Sequence, residues 1–336
     1  TLSCAEASAM QQRPSRVGRR RFIFLSYGPK GSDNSCLWRR CGAFVCRSAL
    51  QFAGDSVLSR LFLIFVAYNV KFMGEVRAKK ALGQHFLVDL NIARKICDSL
   101  SGGSAAGGPC TVLEVGCGMG VLTQFLLRRS DIVTWGAEID PESVAYLHAH
   151  YPEFAPRLVA GDFLGMNLRE RFPEGLKIIG NFPYNISSQI FFKVLENRDL
   201  VPECVGMIQK EVAVRLAEPP GSKEYGILSV LLQAWYDIEY LFTVNETVFN
   251  PPPKVKSAVI RLRRNATERL GCDETLFVKV VKASFGQRRK MIRNSPKSVF
   301  GDFGGAEHPF FTRRAEQLGV AEFVELTNWV SRFSIL

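Results

Sequence analysis

Short apolar runs recur through the middle of the chain, and polar, glycine or proline residues separate them. Runs of about four to eight apolar residues have the length of strands that are buried on both faces. The runs that predict strands are 111–115, 132–137, 157–162, 176–179, 205–209, 230–235 and 259–262. Stretches of helical length lie between them, and this alternation predicts an α/β protein with a doubly wound, Rossmann-like sheet.

The ends of this region have different patterns. A predicted helix near 91–100 and a linker rich in glycine and serine, 101–109, precede the first strand. From about Asn265 the apolar spacing becomes that of helices. One predicted helix face carries Phe277, Val280, Val281 and Phe285, and another carries Phe323, Leu326, Val330 and Phe333. We expect these stripes to form the core of a small helical domain, 265–336, after a larger domain, 73–264.

Composition narrows the class of protein. A chain of 336 residues with 47% apolar content can bury one sizeable domain and a smaller one. The ten-residue apolar run 61–70 is too short to cross a bilayer, so we expect no membrane partner. The nine cysteines include no C-x-x-C pair and their number is odd, which predicts neither a zinc site nor a disulfide framework. This cysteine usage favours a reducing compartment.

The first predicted strand runs into a glycine loop, Gly116-Cys117-Gly118-Met119-Gly120, which a predicted helix follows. Glycines at such a place let the backbone turn sharply and approach a ligand at the carboxyl edge of a parallel sheet. A dinucleotide site needs Gly-x-Gly-x-x-Gly, but position 121 is Val. The spacing Gly-x-Gly-x-Gly after an acidic strand end instead resembles the nucleoside-binding loop of S-adenosylmethionine-dependent methyltransferases.

Two acids follow the next two predicted strands. Glu138 closes the second run, where a carboxylate can accept hydrogen bonds from both hydroxyls of a ribose. Asp162 closes the third run, where it can accept from the amine of an adenine. Together with the acidic end of the first predicted strand, these two acids place polar groups at three strand ends of one sheet edge, which predicts a ligand cleft there.

The segment Asn181-Phe182-Pro183-Tyr184 follows the predicted strand 176–179. It places a side-chain carbonyl, a backbone carbonyl freed from ladder pairing and a flat ring around one small space. The carbonyl groups can accept from an exocyclic amine, and the ring of Tyr184 can stack on the base that carries the amine. An ordinary turn is the alternative interpretation, because Asn, Pro and Ser are common in turns.

Taken together, these residues resemble the ribosomal RNA adenine dimethyltransferase family, and within it the enzymes that modify the small subunit. The resemblance covers about 76–336 in order. The segments that carry it are 79–87 (KKALGQHFL), 114–120 (EVGCGMG), 181–188 (NFPYNISS), 209–212 (QKEV), 249–258 (FNPPPKVKSA) and 285–290 (FGQRRK).

The resemblance implies a role for each site residue. It assigns the cofactor S-adenosylmethionine to His85, Leu87, Gly116, Glu138, Asp162 and Asn181, and the target adenine to Asn181, Pro183 and Tyr184. It also implies dimethylation of the N6 amines of adjacent adenines near the 3′ end of 16S ribosomal RNA. The chain departs from the family at two places, since Leu is common at position 182 and Asn at position 85. Neither change removes a required donor or acceptor.

The charge of the chain is uneven. Residues 1–72 hold eleven basic and three acidic residues, net +8 of the total +11, and they are rich in Arg and Ser. This composition is typical of an organellar transit peptide and also of sequence translated upstream of a start codon. We favour the second, because Met73 stands where a compact bacterial member of the family begins. We expect 1–72 to be an unstructured basic extension and the enzyme to be cytoplasmic, or organellar if the extension is a transit peptide.

The remaining chain carries only +3, but its basic residues are clustered. One cluster, Arg288-Arg289-Lys290, lies in the predicted helical tail, and we expect it to bind the backbone of ribosomal RNA in an immature small subunit. We expect a monomer. Two other functions stay open: a non-catalytic RNA-binding relative that assists transcription, and an adenine methyltransferase that acts on DNA or on large-subunit RNA.

Overall fold

The computed structural model describes residues 76–103, 107–294 and 305–333. The predicted basic extension, 1–72, lies outside the described residues. The strands in chain order are β1 (Phe86–Leu87), β2 (Cys110–Val115), β3 (Ile132–Glu138), β4 (Leu158–Ala160), β5 (Lys177–Asn181), β6 (Glu203–Gln209), β7 (Tyr236–Val244), β8 (Phe249–Asn250) and β9 (Ser257–Arg264). The α-helices are α1 (Leu90–Asp98), α2 (Thr123–Leu126), α3 (Pro141–His150), α4 (Leu168–Arg171), α5 (Ser187–Glu196), α6 (Lys210–Ala217), α7 (Ile227–Gln233), α8 (Glu274–Gly286) and α9 (Val320–Ser331).

The central sheet has seven strands in the order β4-β3-β2-β5-β6-β9-β7. Strands β4, β3, β2, β5 and β6 are parallel to one another, whereas β9 runs antiparallel to its neighbours β6 and β7. The chain builds outward from β2 through β3 to β4 and then returns to the other side of β2 with β5. This reversal makes a topological switch point between β2 and β5, where α/β sheets bind ligands at the carboxyl ends of their strands. The predicted α/β class is confirmed.

Both faces of the sheet are covered, which explains the continuous apolar runs of the inner strands. Val112 and Ile179 pack into one hydrophobic cluster, with helices α1 and α2. Their chain neighbours Leu113 and Ile178 pack into the other cluster, with α5 and α7. Successive side chains of a strand point to opposite faces, so a strand in this position carries apolar residues on both of its faces. Among the described residues, no helix is long and apolar enough to cross a membrane.

The sequence pattern was wrong at 230–235, which is the last part of helix α7 and the turn that follows it, and not a strand. Val230, Leu231 and Leu232 are all buried, because α7 packs among other helices on several sides. A short helix buried all round gives the same continuous apolar run as a buried strand. The strand of this region is β7, an edge strand of mixed burial that follows immediately.

Helices α8 and α9 pack against each other and against α7. Phe277 and Phe323 are fully buried, and the ring of Phe277 meets that of Trp235 edge-on at 6.1 Å. The hydrophobic core therefore runs without a break from the sheet layer into the tail. Phe333 was expected on the same apolar stripe, but it is 36% exposed. Because α9 ends at Ser331, the helical spacing no longer applies there.

Candidate active site

A cleft opens at the carboxyl ends of β2, β3, β4 and β5, at the switch point of the sheet. The structure brings all the predicted cofactor and adenine residues to this one cleft. Those that line it are His85, Leu87, Gly116, Glu138, Asp162, Asn181, Pro183 and Tyr184. They come from segments that lie far apart in the chain, and the parallel sheet collects them because its strand ends share one edge.

The glycine loop fits closely against its surroundings. Gly116, Gly118 and Gly120 all have positive φ, at 75°, 54° and 79°. A Cβ on Gly120 would lie 2.5 Å from the ring of Tyr151, and one on Gly118 would lie 3.1 Å from the ring of Phe86. Both conformation and space thus require glycine at these positions.

Glu138 lies at the tip of β3 with 4% of its surface exposed. Its carboxylate accepts hydrogen bonds from the backbone N–H groups of Gly118 and Asp140, each at 2.8 Å. Burial raises the pKa of Glu138, and these backbone hydrogen bonds oppose the increase. The carboxylate is therefore held in one position beside the glycine loop.

Asp162 follows β4 and also lines the cleft. Its Oδ1 accepts from the backbone N–H of Leu164 at 2.9 Å, so the side chain caps the short 3₁₀ turn Phe163–Gly165. One carboxylate oxygen of Asp162 thus fixes the side chain. The carboxylate lies at the rim of the cleft, where the amine of a nucleobase can reach it.

Glu114 is a buried acid that the sequence pattern did not assign to the site. It is 1% exposed, lines the cleft beneath the glycine loop and accepts from the hydroxyl of Thr123 at 2.5 Å. Burial raises the pKa of Glu114 to about 8, the Thr123 hydroxyl lowers it, and the nearby Glu138 raises it further. Within the described residues neither acid has an ion-pair partner, so a cation bound in the cleft would stabilise their ionised forms. The available signal in the sequence was the position of Glu114 at the strand end, two residues before Gly116.

Asn181 ends β5, and its Nδ2 donates to the backbone carbonyl of His85 at 2.9 Å. This bond turns the amide oxygen of Asn181 away from the His85 carbonyl and leaves it as an acceptor. The backbone carbonyl of Pro183 accepts from the N–H of Ile186 at 3.2 Å. The carbonyl of Phe182 accepts no hydrogen bond from any described residue. The carbonyl freed from ladder pairing is therefore that of Phe182, a residue that the sequence interpretation passed over.

The side chain of Phe182 has a different role from its carbonyl. It is 1% exposed and meets the ring of Phe191 edge-on at 5.8 Å. A Cβ on Gly206 would lie 2.4 Å from this ring, and one on Gly180 would lie 2.8 Å from it. The two glycines on adjacent strands make room for the large ring, which explains how this chain accommodates Phe where Leu is common.

Tyr184 is fixed at both its hydroxyl and its ring. The hydroxyl shares a hydrogen bond of 2.6 Å with Ser257 at the start of β9. The ring stacks beside that of His85, with the centroids 5.5 Å apart and the planes at 28°. The Nδ1 atom of His85 lies 2.8 Å from the carbonyl oxygen of Pro251. His85 therefore lines the cleft and also orients the aromatic ring predicted to stack on a base.

The predicted basic cluster is divided in the structure. Arg288 forms an ion pair with Glu316, Nε to Oε2 at 2.9 Å, and also donates to the carbonyl of Lys223. Arg289 and Lys290 are exposed, and neither pairs with an acid among the described residues. Arg288 thus ties the tail to the loop before α7, whereas its two neighbours face solvent.

The fold is that of the Rossmann-like, S-adenosylmethionine-dependent methyltransferases. The model of the ribosomal RNA adenine dimethylase family matches residues 75–326. The chain belongs to this family, which confirms the resemblance found in the sequence.

Individual relatives agree with this membership. The chain is 58% identical over 257 residues to ribosomal RNA small subunit methyltransferase A of Bacteroides thetaiotaomicron, a match that covers 76% of this chain and 94% of that protein. The identity to the protein of the same name from Porphyromonas gingivalis is 56% over 258 residues, 76% of this chain and 98% of that one.

Solved structures with the same fold include a dimethyladenosine transferase from Plasmodium falciparum, with a TM-score of 0.63 and 24% identity over 75% of this chain and 99% of that one. The 23S rRNA methyltransferase ErmE has a TM-score of 0.52 and 26% identity, covering 71% of this chain and 99% of that one.

Proposed function

We propose that this protein transfers methyl groups from S-adenosylmethionine to the N6 amines of adjacent adenines near the 3′ end of 16S ribosomal RNA, two methyl groups to each amine. The observation that carries the proposal is the pair of free acceptors at Asn181 and Phe182, next to the ring of Tyr184 and on the same cleft as the glycine loop. The names of the relatives support a substrate in the small subunit.

The residues of the cleft fit the cofactor. Glu138 holds a fixed carboxylate for the ribose hydroxyls, Asp162 offers an acceptor to the adenine amine, and Gly116 allows close approach of the backbone. His85 and Leu87 form the opposite wall. S-adenosylmethionine carries a sulfonium and an ammonium group, and its positive charge would stabilise the ionised forms of Glu114 and Glu138, which burial alone disfavours. When bound, the cofactor supplies a methyl group that is already activated.

Positioning of the target amine is then the main task of the protein. The amide oxygen of Asn181 and the carbonyl oxygen of Phe182 accept hydrogen bonds from the two N–H groups of the amine. The lone pair of the amine nitrogen then points out of the base plane toward the methyl donor. Tyr184 stacks on the base, and Pro183 holds the turn that presents these groups. A monomethylated amine still has one N–H for these acceptors. This arrangement supports a second transfer to the same nitrogen.

The cofactor is the first prediction to test. The protein is expected to bind S-adenosylmethionine and not NAD, because Val121 replaces the glycine that a pyrophosphate needs. Calorimetry with each ligand measures this. Binding of NAD in preference to S-adenosylmethionine would refute the cofactor assignment.

The substrate is tested by the product. Small subunits from a strain that lacks the enzyme are incubated with the protein and S-adenosylmethionine, and their RNA is digested for mass spectrometry. We expect N6,N6-dimethyladenosine in the 3′ fragment of 16S RNA. Methylation of large-subunit RNA or DNA instead would assign the protein to the alternative enzyme class, and binding of RNA without methylation would make it a non-catalytic relative.

We further propose that the helical tail, 265–336, binds the RNA backbone through Arg289 and Lys290. Reversal of both to Glu is expected to weaken binding to the small subunit and to flatten its salt dependence, by about one unit of slope for each phosphate that the variant no longer neutralises. Binding is measured at several salt concentrations.

Two controls accompany this measurement. Reversal of Arg169 and Arg171, which lie in helix α4, removes the same charge at another place and is expected to leave the slope unchanged. Arg288→Gln is expected to lower the melting temperature instead, because it breaks the pair with Glu316. An unchanged slope in the Arg289 and Lys290 variant would remove these residues from the RNA surface.

We propose that the protein acts as a monomer in the cytoplasm. The bacterial relatives support the compartment, since bacterial ribosomes assemble there.

A further inference from the structure

Residues 79–87, the strap, form one wall of the cofactor cleft. Leu82 to Leu87 all line the cleft. The strap turns through a short 3₁₀ helix, Lys80–Leu82, and then through Gly83, whose φ is 63°. A Cβ on Gly83 would lie 2.7 Å from the side-chain oxygen of Asn185, so the strap passes close to the segment that carries the adenine-binding residues.

The two ends of the strap are held by different contacts. At its C-terminal end β1 pairs with β8, and the carbonyl of His85 accepts from Asn181. At its N-terminal end the polar contacts converge on one buried side chain, that of Asp140.

Asp140 is fully buried, although it carries a charge. Its Oδ1 accepts from the ammonium group of Lys79 at 2.5 Å, and its Oδ2 accepts from Nε2 of Gln84 at 3.2 Å. Gln84 in turn accepts from the backbone N–H of Lys79 at 2.8 Å. Burial by itself raises the pKa of Asp140, but the hydrogen bonds from Lys79 and Gln84 outweigh it, and the pKa is lowered. The carboxylate is therefore ionised at neutral pH and holds both strap residues.

Asp140 also contacts Glu138, the acid that is predicted to bind the ribose hydroxyls. The backbone N–H of Asp140 donates to Oε1 of Glu138 at 2.8 Å, while the other oxygen of Glu138 accepts from the glycine loop. Asp140 thus contacts the strap through its side chain and the ribose carboxylate through its backbone. It lies outside the residues that line the cleft.

We propose that Asp140 is a positioning residue of the cofactor site, which holds the strap against the glycine loop and keeps the Glu138 carboxylate in place for the ribose. The inference rests on the proposed function, because it assumes that the cleft binds S-adenosylmethionine. Removal of the charge at position 140 loosens the strap wall and weakens cofactor binding, whereas the alignment of the target amine by Asn181 is unchanged.

The test uses Asp140→Asn, because this variant separates positioning from a structural role. Asp140 also caps helix α3 through the N–H of Glu142, and Asn is as good a helix cap as Asp. The variant therefore keeps the helix and the side-chain shape, and it loses the ion pair with Lys79. Calorimetry with S-adenosylmethionine is expected to give a Kd about tenfold higher, since hydrogen bonds to charged groups contribute at about this level. At saturating cofactor, kcat and the KM for RNA are expected to match those of the unmodified protein.

Glu142→Gln is the matched control. Glu142 binds the same lysine at 3.1 Å, but its side chain is 57% exposed. We expect its removal to leave the Kd for the cofactor unchanged, because exposed ion pairs contribute little.

A double-mutant cycle completes the test. Lys79→Met alone is expected to weaken cofactor binding, and in combination with Asp140→Asn to add less than the sum of the two effects. If Asp140→Asn does not fold, Gln84→Glu places a second carboxylate against Asp140 from the strap and is expected to raise the Kd as well. A Kd unchanged by Asp140→Asn or Gln84→Glu in folded protein would overturn the inference. Absence of cofactor binding by the unmodified protein would instead refute the proposed function.

Discussion

Asn181→Ala is expected to lower the rate of methyl transfer by about 100-fold or more while the protein stays folded. The variant removes the amide oxygen that we propose as an acceptor for the target amine. It also removes the donor to the His85 carbonyl, which holds the strap beside the cleft. A misplaced amine loses the alignment of nitrogen, methyl carbon and sulfur that an in-line displacement needs.

Single-turnover measurements with saturating cofactor and small subunits isolate this effect from binding. Asn328→Ala, in helix α9 and outside the residues that line the cleft, is the matched control and is expected to keep full activity. Asn181→Asp keeps acceptor oxygens but loses the donor to His85, so we expect an intermediate rate. If Asn181→Ala retains the rate of the unmodified protein, another group orients the amine and the proposed role of Asn181 is wrong.

The sequence predicted the parallel part of the fold well, and the reason is physical. Inner strands such as 111–115 and 176–179 are covered by helices on both faces, so they need continuous apolar runs that are visible without a structure. The glycine loop was equally visible, because positive φ and close packing leave few choices but glycine.

The rest of the fold depended on tertiary contacts that no local pattern records. Helix α7 has the same apolar run as a strand because helices surround it, and edge strand β7 shows mixed burial because one side lacks a neighbour. Arg288 belongs to the same basic triplet as Arg289, yet its pairing with Glu316 follows from the packing of the tail.

The candidate site likewise contains residues that the sequence could predict and residues that it could not. Strand-end residues such as Glu138 and Asn181 could be predicted, since parallel strands bring their carboxyl ends to one edge. The free carbonyl of Phe182 could not be assigned, because it depends on which carbonyl the following turn uses. The contact of Asp140 with Lys79 joins positions 61 residues apart, and only the folded chain shows it.

The burial of the Glu114 carboxyl group in the site destabilises the folded protein. Its carboxyl group is buried without a cation among the described residues, and the Thr123 hydroxyl is its main hydrogen-bond donor. Burial raises its pKa from 4.5 to about 8 in the folded protein. In the unfolded chain the group is solvated and keeps its ordinary pKa. Between these two values the folded state holds a proton that the unfolded state has released, so the free energy of unfolding falls as the pH rises.

Glu114→Gln is therefore expected to stabilise the protein at alkaline pH. Glutamine keeps an acceptor for Thr123 and has no proton to lose, so the difference from the unmodified protein is near zero below pH 4.5 and grows by about 1.4 kcal/mol per pH unit up to about pH 8. The full difference is ~5 kcal/mol. Urea unfolding at intervals from pH 5 to 9 measures it, because the two proteins differ only at position 114.

The pH dependence of that difference distinguishes titration from packing. Thr123→Val removes the hydroxyl that lowers the pKa of Glu114, so its loss of stability is expected to be greatest above pH 8, where the carboxylate is charged and lacks its main side-chain donor. S-adenosylmethionine brings positive charge to the cleft, and we expect it to lower the pKa of Glu114 and to reduce the advantage of Glu114→Gln at high pH. A difference between the two proteins that is constant from pH 5 to 9 would mean that Glu114 is ionised in both the folded and the unfolded state over this range, and that burial does not raise its pKa.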